Sequence, residues 1–464
     1  MLDSLNVFGD RLWYVVLVLI VALGIYATVR LKGLQFRSMR EMLHVTMRHG
    51  GNGSSLSSLE VFFVSMANRL GVGNIAGPVL AIIVGGPGAI FWMWVFAVIG
   101  MATSFMESTV GQLYKERRSD GDFQGGPAFT VKNGLGKRNL AIAIALIMLT
   151  MHGIGFCSME VSAISDGVKA AVAVEHIDLI FAILITALTA VIMMKGVHTI
   201  ADISVKAVPA MSILWFVFCF LSMAVSYQGI PDAVVSIFTC AFSVPAAVGG
   251  GLGAVMVVGM QRGVLSNEAG IGTITTISSM ADDRHPAVQG YMQAFGVFVD
   301  TIISTFPALV VLSYMDIDAI VATGLDSMPL LEMVFSNTLG SAAPYLVAAF
   351  MFVFSYTSML GDVVISSSLS MFLKDSRTLR YGVYAMMLVV IFLSSLYSSD
   401  ELFAVVDLLM ALCGLVNVFV MFRLSDKAVE LNDDYMAQRA AGIDEPVFTR
   451  NRMRDPTGVV EWSD

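Results

Sequence analysis

The sequence predicts an all-α membrane protein of eleven transmembrane helices, one extra N-terminal helix followed by ten that divide into two five-helix sets of opposite orientation. Three observations carry this. The 464 residues are 56% hydrophobic and only 14% charged, with a mean hydropathy of +0.78, whereas soluble domains run nearer a quarter charged. The apolar residues fall in runs of roughly 20, which at about 1.5 Å rise per residue cross the ~30 Å hydrocarbon layer as helices. The basic residues segregate by linker. The ten-residue alternation of an outer-membrane barrel is absent. A soluble enzyme, a secreted scaffold and a nucleic-acid binder are excluded, and the partner that composition demands is the lipid bilayer.

The spans are 12–31, 57–84, 89–114, 139–165, 177–194, 206–227, 241–261, 287–313, 342–372, 379–397 and 401–423. The first lacks a small-residue cleavage site and reads as a retained helix, not a signal peptide. The seventh is interrupted by Gly249, Gly250, Gly251 and Gly253, and the last four are bounded by charged or turn-rich stretches. With the N-terminus outside and the C-terminus in the cytoplasm, all 27 basic residues except Arg11, Lys169 and the intraspan Arg69 fall in cytoplasmic segments, as the positive-inside rule requires. The outer linker after the eighth span carries Asp316, Asp318, Asp326 and Glu332 and no base. From Lys427 the chain is polar, with Pro446 and Pro456, and reads as a flexible or surface-lying tail. Cys157, Cys219, Cys240 and Cys413 have no metal-like spacing and read as buried small side chains. Trp92 and Trp94 fit an interfacial belt.

Two spans resist a regular helix. The second holds Asn68-Arg69-Leu70-Gly71-Val72-Gly73-Asn74-Ile75-Ala76-Gly77-Pro78 near mid-membrane, and the seventh holds the glycine cluster at 249–253. Each glycine lowers helix stability by about 1 kcal/mol relative to alanine, and proline adds a break. Unwound backbone at membrane depth is tolerated only where it lines a protein or water-filled cavity. The alternative use of such glycines is close helix packing. The two interrupted spans each open a five-helix set, the plan of transporters that bind substrate and coupling ion at the midplane between inverted repeats. The chain accordingly divides into an extra helix with a basic linker (1–54), a first repeat (55–228), a second repeat (229–425) and a cytoplasmic tail (426–464).

Free amides around Val72, Gly73 and Asn74, at the positive end of the half-helix after the break, suit a substrate carboxylate. The small residues Gly249, Gly250 and Gly251 let substrate approach the other broken backbone. Among charged groups in the spans, Asp300 and Arg69 lie at comparable depth and are expected to pair as a gate or packing ion pair, since an ionised aspartate at the bilayer centre costs at least ~2.5 kcal/mol. Glu160 lies nearer the outer end of its span, where it senses a substrate ammonium, carries a proton or faces water. Glu107 and Asp362 read as solvated or structural at inner ends, and Ser266, Asn267 and Glu268 as capping and gate contacts in a cytoplasmic loop. The six histidines read as scattered toward loops without an intramembrane pair, so an intramembrane enzyme has no support. A sensor that binds without transporting has none either.

The stretch Gly71-Val72-Gly73-Asn74-Ile75-Ala76-Gly77, followed by Gly85-Gly86-Pro87-Gly88-Ala89-Ile90-Phe91-Trp92-Met93-Trp94, resembles the first two core helices of the alanine or glycine:cation symporter family. Arg262 to Gly272 is similar to the segment after that family's sixth core helix, and Gly296 to Thr301 to its seventh. The resemblance runs from about residue 55 to 420. It implies a leucine-transporter type fold with five plus five inverted helices in a bacterial-type plasma membrane. The implied activity is symport of a small neutral amino acid, alanine or glycine-like, with sodium as coupling ion. It places Phe156, Met159, Glu160 and Thr357 at the substrate. It places Asn74 and Thr301 at one sodium site, and the carbonyls of Ala67 and Leu70 with the hydroxyls of Thr357 and Ser358 at another. Serine and threonine in membrane helices also commonly bond their own backbone. The pocket motifs diverge: Met159 stands where the family has glutamine, Val72 where it has threonine, and Thr357-Ser358-Met359-Leu360-Gly361-Asp362 lacks the usual tryptophan. Two alternatives follow, proton coupling through Glu160 or Asp300, and a carrier for a different amino acid.

Overall fold

The computed structural model describes residues 2–47, 55–119, 121–171, 175–243, 252–397 and 400–462. The expected contacts of Gly249, Gly250 and Gly251 lie outside these residues. In chain order come α1 (Leu2–Arg30), α2 (Leu34–Arg37), α3 (Met39–Met47), α4 (Ser58–Arg69), α5 (Val72–Gly85) and α6 (Gly88–Leu113). A short hairpin of β1 (Glu116–Arg117) and β2 (Phe123–Gln124) precedes α7 (Pro127–Phe129) and α8 (Arg138–Thr150). A π-helical turn, Met151–Phe156, joins α8 to α9 (Cys157–Ala171). Then follow α10 (Ile177–Lys195), α11 (Val197–Val225), α12 (Ile230–Cys240), α13 (Leu252–Asn267), α14 (Ile274–Ser278) and α15 (Ala287–Tyr314). The chain closes with α16 (Ile317–Thr323), α17 (Ser327–Leu339), α18 (Ala343–Leu373), α19 (Arg377–Leu396) and α20 (Asp400–Ala440).

Among the described residues nine helices are long and apolar enough to cross a membrane, and two bent helix pairs pass the same test together. One is α4 with α5, bent by 42° at the second predicted span. The other is α16 with α17, bent by 112° within the acidic linker, where Asp316 and Asp326 cap the two helices by accepting from the amides of Ala319 and Ser327. Outward-facing Val18, Val29, Leu184, Ile213 and Val225 are exposed, as apolar side chains that face lipid would be.

The predicted span over 241–261 lies partly outside the described residues, which give helices over Ile230–Cys240 before it and Leu252–Asn267 toward its end. The first is only 11 residues long and buries just Ala233 and Ile237. One predicted element needs correction. The tail is not loose. α20 continues for 41 residues to Ala440, about 60 Å of helix, and the following segment folds back with Phe448, Met453, Val459 and Trp462 buried. A handful of spaced apolar residues on a polar chain was enough to pack.

The predicted cytoplasmic linkers gather at one end of the bundle. Ser119 meets Asp375 at 3.3 Å, His198 meets Asp122 at 3.3 Å, and Arg284 pairs with Glu445 at 3.0 Å. Trp462 Nε1 donates to the carbonyl of Gln112 at 3.2 Å. Lys115 Nζ sits 4.0 Å and 4.7 Å from the ring centroids of Phe123 and Trp462 and donates to the Ala281 carbonyl at 2.6 Å. Inside the bundle, α6 is packed between α1, α13 and α15, while α18 lies against α9, α4 and α11.

Trp462→Ala is expected to cost about 3 kcal/mol, the range for truncating a buried aromatic, read as a lower melting temperature in detergent. Burial pushes Lys115 from its ordinary 10.5 down to about 8. The unfolded chain therefore holds the proton between those values while the folded chain does not. Stability should rise as pH climbs from about 8 toward 10.5, and Lys115→Met should flatten that rise in melts taken across the window.

Candidate functional site

The break in the second predicted span is local. α4 opens with a capping box in which Ser57 accepts from the Glu60 amide and Glu60 accepts from the Ser57 amide. It ends at Arg69, after which Leu70 and Gly71 leave helical geometry and α5 restarts at Val72. Gly71 is extended, with φ −117°, a conformation open to any residue. Its requirement is space: a Cβ there would run into the Glu160 carboxylate.

Glu160, from α9, caps the restarted helix. Its Oε2 accepts from the Val72 amide at 3.1 Å and its Oε1 lies 3.1 Å from the Ser358 hydroxyl of α18. The same hydroxyl is 2.9 Å from the Asn68 carbonyl on the other side of the break. A carboxylate of the chain itself thus occupies the positive helix end, the place expected for a substrate carboxylate. Glu160 is buried and does not face water. Val72, Phe156 and Met159 are half-buried, and Thr357 is buried with its hydroxyl turned to the Val353 and Phe354 carbonyls of its own helix at 2.9 and 3.0 Å.

A second cluster surrounds Asn74 in the first turns of α5. Its Nδ2 lies 2.5 Å from Asp300 Oδ1, 2.8 Å from Ser304 Oγ and 3.2 Å from Ser266 Oγ. Ser266 donates to Asp300 Oδ2 at 2.7 Å. All four side chains are buried, and Asn74 Oδ1 has no hydrogen-bond partner among the described residues. The Asn74 amide carries a donor nitrogen and an acceptor oxygen on one planar group, which a half-turn of its last side-chain bond exchanges. Turned over, Asn74 presents an oxygen to one carboxylate and two hydroxyls, a hard-oxygen set of the kind that holds an alkali cation. The Thr301 hydroxyl is not part of it and donates instead to the Val297 carbonyl at 2.7 Å.

Arg69 does not pair directly with Asp300. Its guanidinium, 3% exposed, donates to the Asn267 carbonyl at 3.1 Å, Gln293 Oε1 at 2.9 Å and Ser104 Oγ at 3.3 Å. It ties α4 to α13, α15 and α6, with its charge balanced at longer range by Asp300, Glu268 and Glu107. Neutral acceptors on three helices outcompete one carboxylate that Asn74 and Ser266 already satisfy. Ser266, Asn267 and Glu268, expected in a loop, are buried at and just after the end of α13. Glu107 is buried too, 2.5 Å from Asn417 Nδ2, and Asp362 is buried beside His152. Ser304 and Gln293 were missed by sequence reasoning, and Ser266 and His152 were placed with the loop contacts and the scattered histidines. Partners 34 to 230 positions away leave no local pattern.

The bent helix, its capped break and the buried oxygen cluster belong to a membrane transporter, and comparison with known proteins agrees. The model of the sodium:alanine symporter family matches residues 1–450. The chain is 34% identical to the amino-acid carrier protein AlsT of Bacillus subtilis (strain 168) over 465 residues, covering 99% of this chain and 97% of that one. It is also 34% identical to the probable sodium/glutamine symporter GlnT of the same organism, covering 98% and 95%. The crystal structure of MhsT in complex with L-phenylalanine superposes with a TM-score of 0.54 at 14% identity, over 79% of this chain and 89% of that one, so the two share a leucine-transporter-like fold. The chain belongs to the sodium:alanine symporter family, and it is a multi-pass transporter, not an enzyme.

Gly71→Ala is expected to destabilise the protein by about 1–3 kcal/mol, the cost of overpacking a filled site. Added to Glu160→Ala, in which the obstructing carboxylate is gone, Gly71→Ala should cost much less in thermal melts than it does in the wild type. Additive losses would show that the two positions are not in contact.

Proposed function

We propose that this transporter takes up a small neutral amino acid, alanine or glycine-like, together with sodium, by alternating access. The observation that carries the reading is the cluster of Asn74, Asp300, Ser266 and Ser304 beside the capped break. It joins hard oxygens and one buried carboxylate to the half-helix that would hold a zwitterion. Sodium there would neutralise Asp300, whose burial without a cation is costly. A second sodium would sit between the Ala67 and Leu70 carbonyls and the Thr357 and Ser358 hydroxyls, where Ser358 already bridges the break. Substrate would lie against Val72, Gly73 and Asn74, with Phe156, Met159, Glu160, Thr357 and the segment at Gly249, Gly250 and Gly251 around it. Because Glu160 holds the Val72 amide, a substrate carboxylate reaches that amide only by displacing it.

The same reading takes eleven spans with the N-terminus outside, a plasma membrane of bacterial type, and repeats at 55–228 and 229–425. The gathering of basic linkers at one end supports that orientation. The relatives' names, an amino-acid carrier and a probable sodium/glutamine symporter, support an amino acid and sodium, with glutamine as the alternative cargo. A second reading, proton coupling through Glu160, is favoured by one detail. The single Ser358 hydroxyl proton faces two acceptors, Asn68 O and Glu160 Oε1, an arrangement fully satisfied when the carboxyl brings a proton of its own.

In proteoliposomes, labelled L-alanine or L-glutamine should accumulate under an inward sodium gradient and not when choline replaces sodium. Asp300→Asn and Asn74→Ala should remove the sodium stimulation. Accumulation driven by a pH gradient without sodium, and lost in Glu160→Gln, would overturn sodium coupling in favour of the proton reading.

A further inference from the structure

The interior holds another constellation that neither the sodium cluster nor the amide cap uses. Between α8 and α9 the chain passes through the π turn Met151–Phe156. The wider turn rotates its side chains away from the face an α-helix would give them, and such turns are frequent at functional sites. Here it aims His152 at α18. The imidazole Nδ1 lies 2.7 Å from Asp362 Oδ1, and Asn68, in the last turn of α4, donates Nδ2 to the same oxygen at 3.2 Å. All three side chains are buried. Their other polar atoms, His152 Nε2, Asp362 Oδ2 and Asn68 Oδ1, have no hydrogen-bond partner among the described residues.

Two groups that can each bind a proton therefore face one another in the apolar interior. One hydrogen must lie between Nδ1 and Oδ1 for the 2.7 Å contact to be attractive. With that hydrogen alone the pair is an anion, and an isolated buried carboxylate costs several kcal/mol. One further proton makes the pair neutral, and on the unpartnered Asp362 Oδ2 it gives a carboxylic acid beside a neutral imidazole. Beyond the Asn68 amide, the neighbouring charged groups among the described residues are acidic. Glu268 acts on both His152 and Asp362, and Glu160 acts on Asp362 from beyond Ser358. The Phe156 ring lies 5.3 Å from the imidazole, while α19 and α20 meet the π turn with Met386 and Val406. Among the described residues no lysine or arginine forms an ion pair with Asp362. The pair also touches the break: Asn68 stands two residues before Leu70, and its carbonyl receives the Ser358 hydroxyl that reaches Glu160.

We propose that His152 and Asp362 form a proton-binding site, one exchangeable proton per pair, whose occupancy is felt at the helix break through Asn68. The effect on transport rests on the ion-coupled carrier reading above; the binding of the proton does not. The test therefore has two arms. In pH-difference infrared spectra of the purified full-length protein in lipid, wild type should show a protonated-carboxyl band titrating between about pH 5 and 8. Asp362→Asn should remove that band, His152→Gln should move its midpoint, and Glu160→Gln should leave it in place. In proteoliposomes, sodium-driven uptake of L-alanine should depend on pH in wild type and lose that dependence in Asp362→Asn and His152→Gln. His152→Gln serves alone where Asp362→Asn fails to fold. A band unchanged by both substitutions, or one removed by Glu160→Gln instead, overturns the proposal. A normal titration with no alanine uptake upholds the proton site and counts against the carrier reading.

Discussion

An interrupted helix in hydrocarbon exposes amides and carbonyls that lipid cannot satisfy, and each would cost several kcal/mol. The interaction that meets this demand is the contact of the Glu160 carboxylate with the Val72 amide and the Ser358 hydroxyl. Much of the centre of the molecule follows from it. Gly71 must lack a side chain because the carboxylate fills that space. α9 must present Glu160 toward α5, and the π turn before it adjusts the phase of the helix. α18 must bring Ser358 to both sides of the break at once.

Around that centre the buried polar groups sort by function. Arg69 is a strut: its three hydrogen bonds hold α4 to α6, α13 and α15, and its fixed fork suits that role better than a lysine would. Asn74, Asp300, Ser266 and Ser304 gather oxygen. Glu107 and Asn417 join α6 to α20, with Asn417 also donating to the Gly270 carbonyl at 2.9 Å. The carboxylates of Glu107, Glu160, Glu268, Asp300 and Asp362 are all buried, with Arg69 the buried guanidinium among them. Such an excess of buried acid leaves negative charge that only a bound cation or proton would offset.

At the end of the bundle that carries the basic linkers, the tail serves as a structural clasp. Arg452 pairs with Asp434 at 2.8 Å, Lys427 with Asp455 at 2.9 Å, and Arg117 with Glu461 at 3.6 Å. Exposed pairs of this kind contribute little individually. The buried rings of Phe448 and Trp462 and the enclosed Lys115 do more, since they remove apolar surface from water where no lipid covers it.

Sequence alone determined the membrane class, most of the helices, the position of the first break and the family, because these rest on local quantities: run length, charge segregation, glycine and proline placement, and contiguous motifs. It also singled out Glu160, Asn74, Asp300 and Arg69 as unusual. What it could not decide was who meets whom. Arg69 passes over Asp300 for neutral acceptors, Thr301 turns to its own backbone while Ser266 and Ser304 reach Asn74, and His152, one of six histidines without a sequence neighbour to pair with, finds Asp362 210 positions away. Those choices depend on the phase of each helix about its axis. A π turn or a two-residue break changes that phase by a large fraction of a turn, and only the packing of all the helices together settles it.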